Sequence, residues 1–190
     1  MSNESETYHK LLTAAAACFA EKGFSATSVR EISIRAGISQ GSMYTYFKGK
    51  DELIAAIVLE EQKTALAIQD RTYEGAHFIR LVDLVQHCIS DVGYPVTHNL
   101  WVEIIAESAR NPALRETFIS SDRIMRSGIA KIIQRGIDAG EFAADLDIEE
   151  TTIILFAFID GLIGRKAMHP DFSLEKDLPS FNKLMLKIVS

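Results

Sequence analysis

The chain has little cysteine, little proline and no long apolar run, and each shortage closes off a class of protein. Cys18 and Cys88 are its two cysteines in 190 residues; they form no C-x-x-C pair, which excludes a disulfide framework or a thiolate metal site. Even the longest apolar runs, Ile153 to Ile159 among them, are far short of the ~20 residues that cross a bilayer, and MSNESETYHK has no apolar core of a secretory leader. A cytoplasmic protein with no membrane partner is therefore expected. His9, His77, His87, His98 and His169 include no H-x-x-x-H or H-E-x-x-H pair, so no metal, cofactor or enzymatic activity is expected. Positive charge is also scarce. The chain carries −6 overall, and residues 51–190 hold 14 Lys/Arg against 22 Asp/Glu, a net of −8, so most of the surface repels nucleic acid.

Nearly every segment repeats its apolar residues at helical spacing, without sustained alternation. The predicted class is all-α, with about nine helices punctuated at Gly23, Gly37, Gly49, Gly93 to Pro95, Asn111-Pro112, Gly140 and His169-Pro170. Helices are predicted over Glu6 to Glu21, His77 to Val92, Pro95 to Arg110, Pro112 to Ile119, Ser121 to Ala139, Glu149 to Met168 and Leu178 to Val189.

The exception to the acidic balance is residues 22–50, where Lys22, Arg30, Arg35, Lys48 and Lys50 face one acid, Glu31, for a net of +4. Ser28-Val29-Arg30-Glu31 fits a capping box at a helix start. Gly37 and Ile38 make a turn, and Ser39 caps a second short helix through Phe47, with Met43 and Phe47 inward at i and i+4. A further helix is expected from about 50 to 70. This is the outline of a helix-turn-helix over about 28–47, in a three-helix DNA-binding domain spanning 1–50, with 51–190 left as a helical bundle.

In such a motif the second helix enters the major groove while its surroundings grip phosphate. Ser28, Arg30, Ser39, Gln40, Gly41, Ser42, Tyr44, Thr45, Tyr46 and Lys50 are the candidate DNA-binding residues. Gln40 suits adenine, and Thr45 offers either a methyl to thymine or a hydroxyl to phosphate. Gly41 and Ser42 let the helix lie close, and Lys50 sits at a helix start that favours phosphate. The same pattern also fits a helical hairpin with a solvated polar face.

Phe19, Gly23, Phe24, Thr27-Ser28-Val29, Ile32, Ala36-Gly37-Ile38-Ser39, Gly41-Ser42-Met43-Tyr44, Tyr46-Phe47, Lys50 and Leu53 resemble the DNA-binding signature of the TetR/AcrR family of bacterial transcriptional regulators. The resemblance implies that Tyr44 and Lys50 hold phosphates. Gln40, Gly41, Ser42, Thr45 and Tyr46 then lie at the groove. Tyr46 replaces a frequent histidine, and Arg30 matches a position that reads a base in some members only. Leu100-Trp101, Glu103, Asn111 to Leu114, Gly136, Gly140 to Phe142 and Asp160 to Leu162 resemble the choline-responsive subgroup. That likeness implies a homodimer joined by the last two long helices, with Ala157, Phe158, Gly161 and Gly164 in the seam beside Phe156 and Ile159.

Glu103, Glu107 and Arg110 are read as a solvated face with an i,i+3 ion pair, opposite Leu100, Trp101, Ile104 and Ile105. His87, Trp101, Ile104, Met125 and Phe156 are the candidate lining of an effector pocket, with core packing the competing role for each. The expected function is a dimeric repressor on a pseudo-palindromic double-stranded operator, released by a small-molecule effector. A dimeric DNA-binding protein without an effector, or an α-helical enzyme, are the alternatives.

Overall fold

The structure, a computed structural model, describes residues 3–190, with side chains from Ser5 onward. Among the described residues it contains nine helices and no strand: α1 Asn3–Lys22, α2 Val29–Ala36, α3 Gln40–Tyr46, α4 Lys50–Gln69, α5 His77–Ser90, α6 His98–Ser108, α7 Pro112–Asp138, α8 Ile148–Met168 and α9 Leu174–Val189. None of them is long and apolar enough to cross a membrane.

The chain forms two compact units, one of residues 1–62 and 93–121 and the other of 63–92 and 122–190. The 1–50/51–190 division expected from sequence differs because α6 packs on α1. The unit boundaries fall inside α4 and α7, each an unbroken helix.

In the first unit, α1 packs on α2 and α2 on α3, and Leu11, Leu12, Ala15, Phe19, Ile32, Met43, Leu53, Ile54 and Ile57 are all essentially without solvent contact. The helix breaks are chemically determined. Gly23 (φ 80°) and Gly37 (φ 68°) adopt the left-handed conformation that side chains resist. The capping box at Ser28 is complete, its side chain accepting from the Glu31 amide while Glu31 accepts from the Ser28 amide at 2.9 Å.

In the second unit, α5 packs on α8 and α9 through Leu81, Leu84, Val85 and Ile89 against Leu155, Ile159, Ile163, Leu178, Phe181 and Met185, all buried. The Phe142 ring occupies the space a side chain at Gly136 would need. The Glu141 carboxylate accepts from the His77 and Phe78 amides at 2.7 and 3.3 Å, capping the start of α5 from another part of the chain.

Three expectations are corrected. The separate helices over 112–119 and 121–139 are one helix, because Ser121 is buried within α7 rather than capping a new start. The last helix begins at Leu174, earlier than Leu178, because Ser173 caps it and the Asp177 carboxylate accepts from the Ser173 amide at 2.9 Å; Pro179 lies inside it. Glu103 and Glu107 are not a solvated face. Glu107 is buried with Ile104 while Ile105 is exposed, so this side of α6 turns inward, although the Glu107–Arg110 pair forms at 3.0 Å.

Candidate nucleic-acid interface

The turn between α2 and α3 is fixed from both ends. The Ile38 amide donates to the Ser33 carbonyl at 2.9 Å, and Ser39 caps α3 by accepting from the Ser42 amide at 3.1 Å. Met43 and Phe47 are buried, which turns the opposite side of α3 outward. Gln40, Gly41, Tyr44 and Thr45 are exposed, and Ser42 and Tyr46 are half-buried. The structure thus brings the predicted reading residues onto one short helix. Ser28 and Ser39 are held as caps, which assigns their side chains to backbone geometry. Thr45 Oγ1 donates to the Ser42 carbonyl at 2.6 Å.

The cations are less available than their count suggests. Lys22 pairs with Glu31 at 2.5 Å, and Arg35 makes two bonds of 2.7 Å to Glu21. Lys48 lies 3.6 Å from Glu52, whose carboxylate also accepts from the Lys48 amide at 2.8 Å. Bonding to Lys22 and then to the Ser28 amide and hydroxyl holds the Glu31 carboxyl well below its ordinary range, at about 2. Arg30 is exposed and takes part in none of these pairs among the described residues.

Lys50 has partners within the protein that the sequence does not disclose. Its ammonium donates to the Phe24 carbonyl at 2.7 Å and reaches the Ser25 carbonyl at 3.4 Å, 4.6 Å from the centre of the Phe24 ring. An ammonium has three donors, so one remains for an anion at the start of α4. On the other side of the same residue, the Phe24 amide donates to Glu103 at 2.6 Å. Asn111 caps α7 through the Ala113 and Leu114 amides and donates to Asp51, beside Lys50, at 2.7 Å. Sequence reasoning missed Glu103 and Asn111 as supports of this region. The signal present was the Asn-Pro pair and the Gly23-Phe24 turn, and neither names its partner.

The predicted effector residues divide between the units. Trp101 and Ile104 belong to the first, where Ile104 is fully buried and Trp101 lies 5.6 Å from Phe118, ring to ring. His87, Met125 and Phe156 belong to the second, with Met125 buried and the other two half-buried. Of the predicted seam, Ala157, Phe158 and Gly161 are exposed and Gly164 is half-buried, whereas Ile159 points into the core.

A short capped helix presenting polar and small side chains after a tight turn is a helix-turn-helix, the reading element of DNA-binding regulators. Residues 11–57 match the profile described as bacterial regulatory proteins, tetR family, and residues 80–177 that of the BetI-type transcriptional repressor, C-terminal. The transcriptional regulator UidR of Escherichia coli K12 is 30% identical over 164 residues, 83% of this chain and 80% of that protein. Salmonella enterica GusR superposes with a TM-score of 0.85 at 28% identity, over 100% of this chain and 98% of that one. FadR from Bacillus subtilis, solved in complex with stearoyl-CoA, shares the fold at TM-score 0.75 and 22% identity, over 96% and 98%. The chain belongs to the TetR family of bacterial transcriptional regulators.

Proposed function

We propose that two copies of this chain pair through α8 and α9 and present two α3 helices to a pseudo-palindromic operator, as a repressor that a small molecule releases. The observation that carries the pairing is an apolar face of α8 that stays exposed to solvent, although Phe158 on it also meets the Phe181 ring of α9 edge to face at 5.6 Å. Ile153, Ile154, Ala157, Phe158 and Gly161 repeat at helical spacing and are exposed, Ile153 by 50% and Phe158 by 37%; Leu184 and Leu186 of α9 are exposed as well. A helix-interior glycine costs about 1 kcal/mol relative to alanine, yet no atom lies within 4 Å of where side chains at Gly161 and Gly164 would stand. A second helix packed against them supplies the reason for their smallness.

On the DNA side, Gln40 reads a base edge, Tyr44 and the remaining Lys50 donor hold phosphates, and Arg30 is the cation left for the groove. Paired recognition helices stand about 34 Å apart on adjacent turns, so a ligand favouring a different spacing lowers operator affinity by its differential affinity for the two states. The FadR neighbour's stearoyl-CoA is an instance of this fold holding a small molecule, and His87, Met125 and Phe156 are the candidates within the second unit here. Light scattering on the purified protein tests the pairing: a mass twice 21.1 kDa supports it, and a mass of one chain at micromolar concentration rejects it.

A further inference from the structure

We infer that Gln69 and Gly128 form a latch between the last turn of α4 and α7, held by a small margin, whose closed state is the operator-binding one. The inference rests on the function proposed above. Gly128 lies in the interior of α7, an unbroken helix of 27 residues, where a glycine weakens the helix relative to alanine. Its missing side chain makes room for one neighbour. A carbon built on Gly128 would collide with the Gln69 amide oxygen, and the three atoms nearest to that position all belong to the Gln69 amide.

The seat is poorly rewarded. Gln69 Oε1 is buried there and has no hydrogen-bond partner, and the Nε2 donor reaches only the Met125 carbonyl, at 3.4 Å. An unpaired buried acceptor is unfavourable, and swinging the amide out to water relieves it. The backbone of the same turn is held independently, since Arg80 of α5 donates to the Ile68 and Gln69 carbonyls at 2.7 and 3.2 Å. Opening the latch therefore releases the contact with α7 without unravelling the end of α4. That helix runs unbroken back to Lys50, which anchors Phe24 beside the reading element. A partner that demands one fixed spacing binds best to a preorganised helix, so the closed latch favours the operator. A small molecule whose hydrogen-bond donor captures Oε1 shifts the balance toward the open state and releases DNA.

The test compares full-length wild type, Gly128→Ala, Gln69→Ala and the double variant in urea denaturation and in binding to a DNA fragment from upstream of the protein's own gene. Gly128→Ala closes the seat. It is expected to keep or raise the denaturation midpoint yet weaken binding by at least about fivefold, the lower end of ordinary allosteric coupling. Gln69→Ala empties the seat and is expected to weaken binding equally, and the double variant no further. In the Gln69→Ala background, Gly128→Ala is expected to make the folding equilibrium about fivefold more favourable, the full gain of alanine over glycine. Wild-type affinity in either single variant, or additive losses in the double variant, would overturn the inference. So would a lower midpoint in Gly128→Ala, which would make the contact ordinary packing. Absence of binding by the wild type overturns the DNA-reading function as well.

Discussion

The Glu103 carboxylate of α6 accepts a hydrogen bond from the Phe24 amide at 2.6 Å, so a helix some eighty residues away in sequence (Glu103 − Phe24, 79 positions) fixes the turn that leads into the helix-turn-helix. Gly23 allows the approach, since a side chain there would stand 3.2 Å from the same carboxylate in a left-handed backbone. Lys50 takes the Phe24 carbonyl. Phe24 is thus held on both polar sides, from α6 and from the start of α4.

Glu103→Ala leaves the Phe24 amide without its acceptor, and loss of a partner for such a donor costs about 1–3 kcal/mol. Urea denaturation is expected to show that loss, and Glu103→Gln, which keeps an acceptor oxygen, is expected to recover most of it. Equal midpoints for wild type and Glu103→Ala would contradict the assignment.

Lys50→Ala removes an internal anchor and, on the function proposed, a phosphate partner, and the two are separable. Denaturation reads the first. The second appears as weaker binding to all sequences alike, with the salt dependence lessened by ~1 counterion. A salt slope equal to wild type would confine Lys50 to anchoring Phe24 and Ser25.

The α8 seam predicts that Gly161→Leu gives monomers in sedimentation, because the larger side chain has open space in the single chain and meets resistance only from a second copy. The isolated fold is expected to keep its helical circular dichroism. An intact dimer would move the seam elsewhere.

Stability at acid pH should depend on Glu31. Its carboxyl is depressed to about 2 by Lys22 and by the Ser28 amide and hydroxyl, so its contribution is complete above the ordinary carboxylate range, ~4. That contribution is lost as pH falls through about 2. Glu31→Gln should lower stability at neutral pH and flatten its fall over that acid window, read as denaturation midpoints at stepped pH. An identical pH dependence in the two proteins would refute the linkage.

The local chemistry of the reading element was legible in sequence because caps and left-handed turns use residues a few positions apart: Ser28 with Glu31, Gly37, and Ser39 with the Ser42 amide. The orientation of α6 was not. Glu103 and Glu107 look like a solvent face to any rule that places charge outside, and their inward direction follows from an amide 79 positions away and from packing on α1. The charge of residues 22–50 was countable, but its pairing with Glu21 and Glu52, just outside that window, was not. The predicted effector residues looked alike as apolar candidates, and sequence gave no sign that Trp101 and Ile104 fold with the first unit and Met125 with the second.

The central claim is that a dimer of this chain reads DNA through α3. A DNase I footprint on the DNA upstream of its gene, at low salt, tests it most directly. The expected result is a protected site with two-fold symmetric halves about one helical turn apart, whose sequence preference relaxes at one base pair per half in Gln40→Ala. No protection at any protein concentration, or a protected site that lacks symmetry and is indifferent to Gln40→Ala, would contradict it.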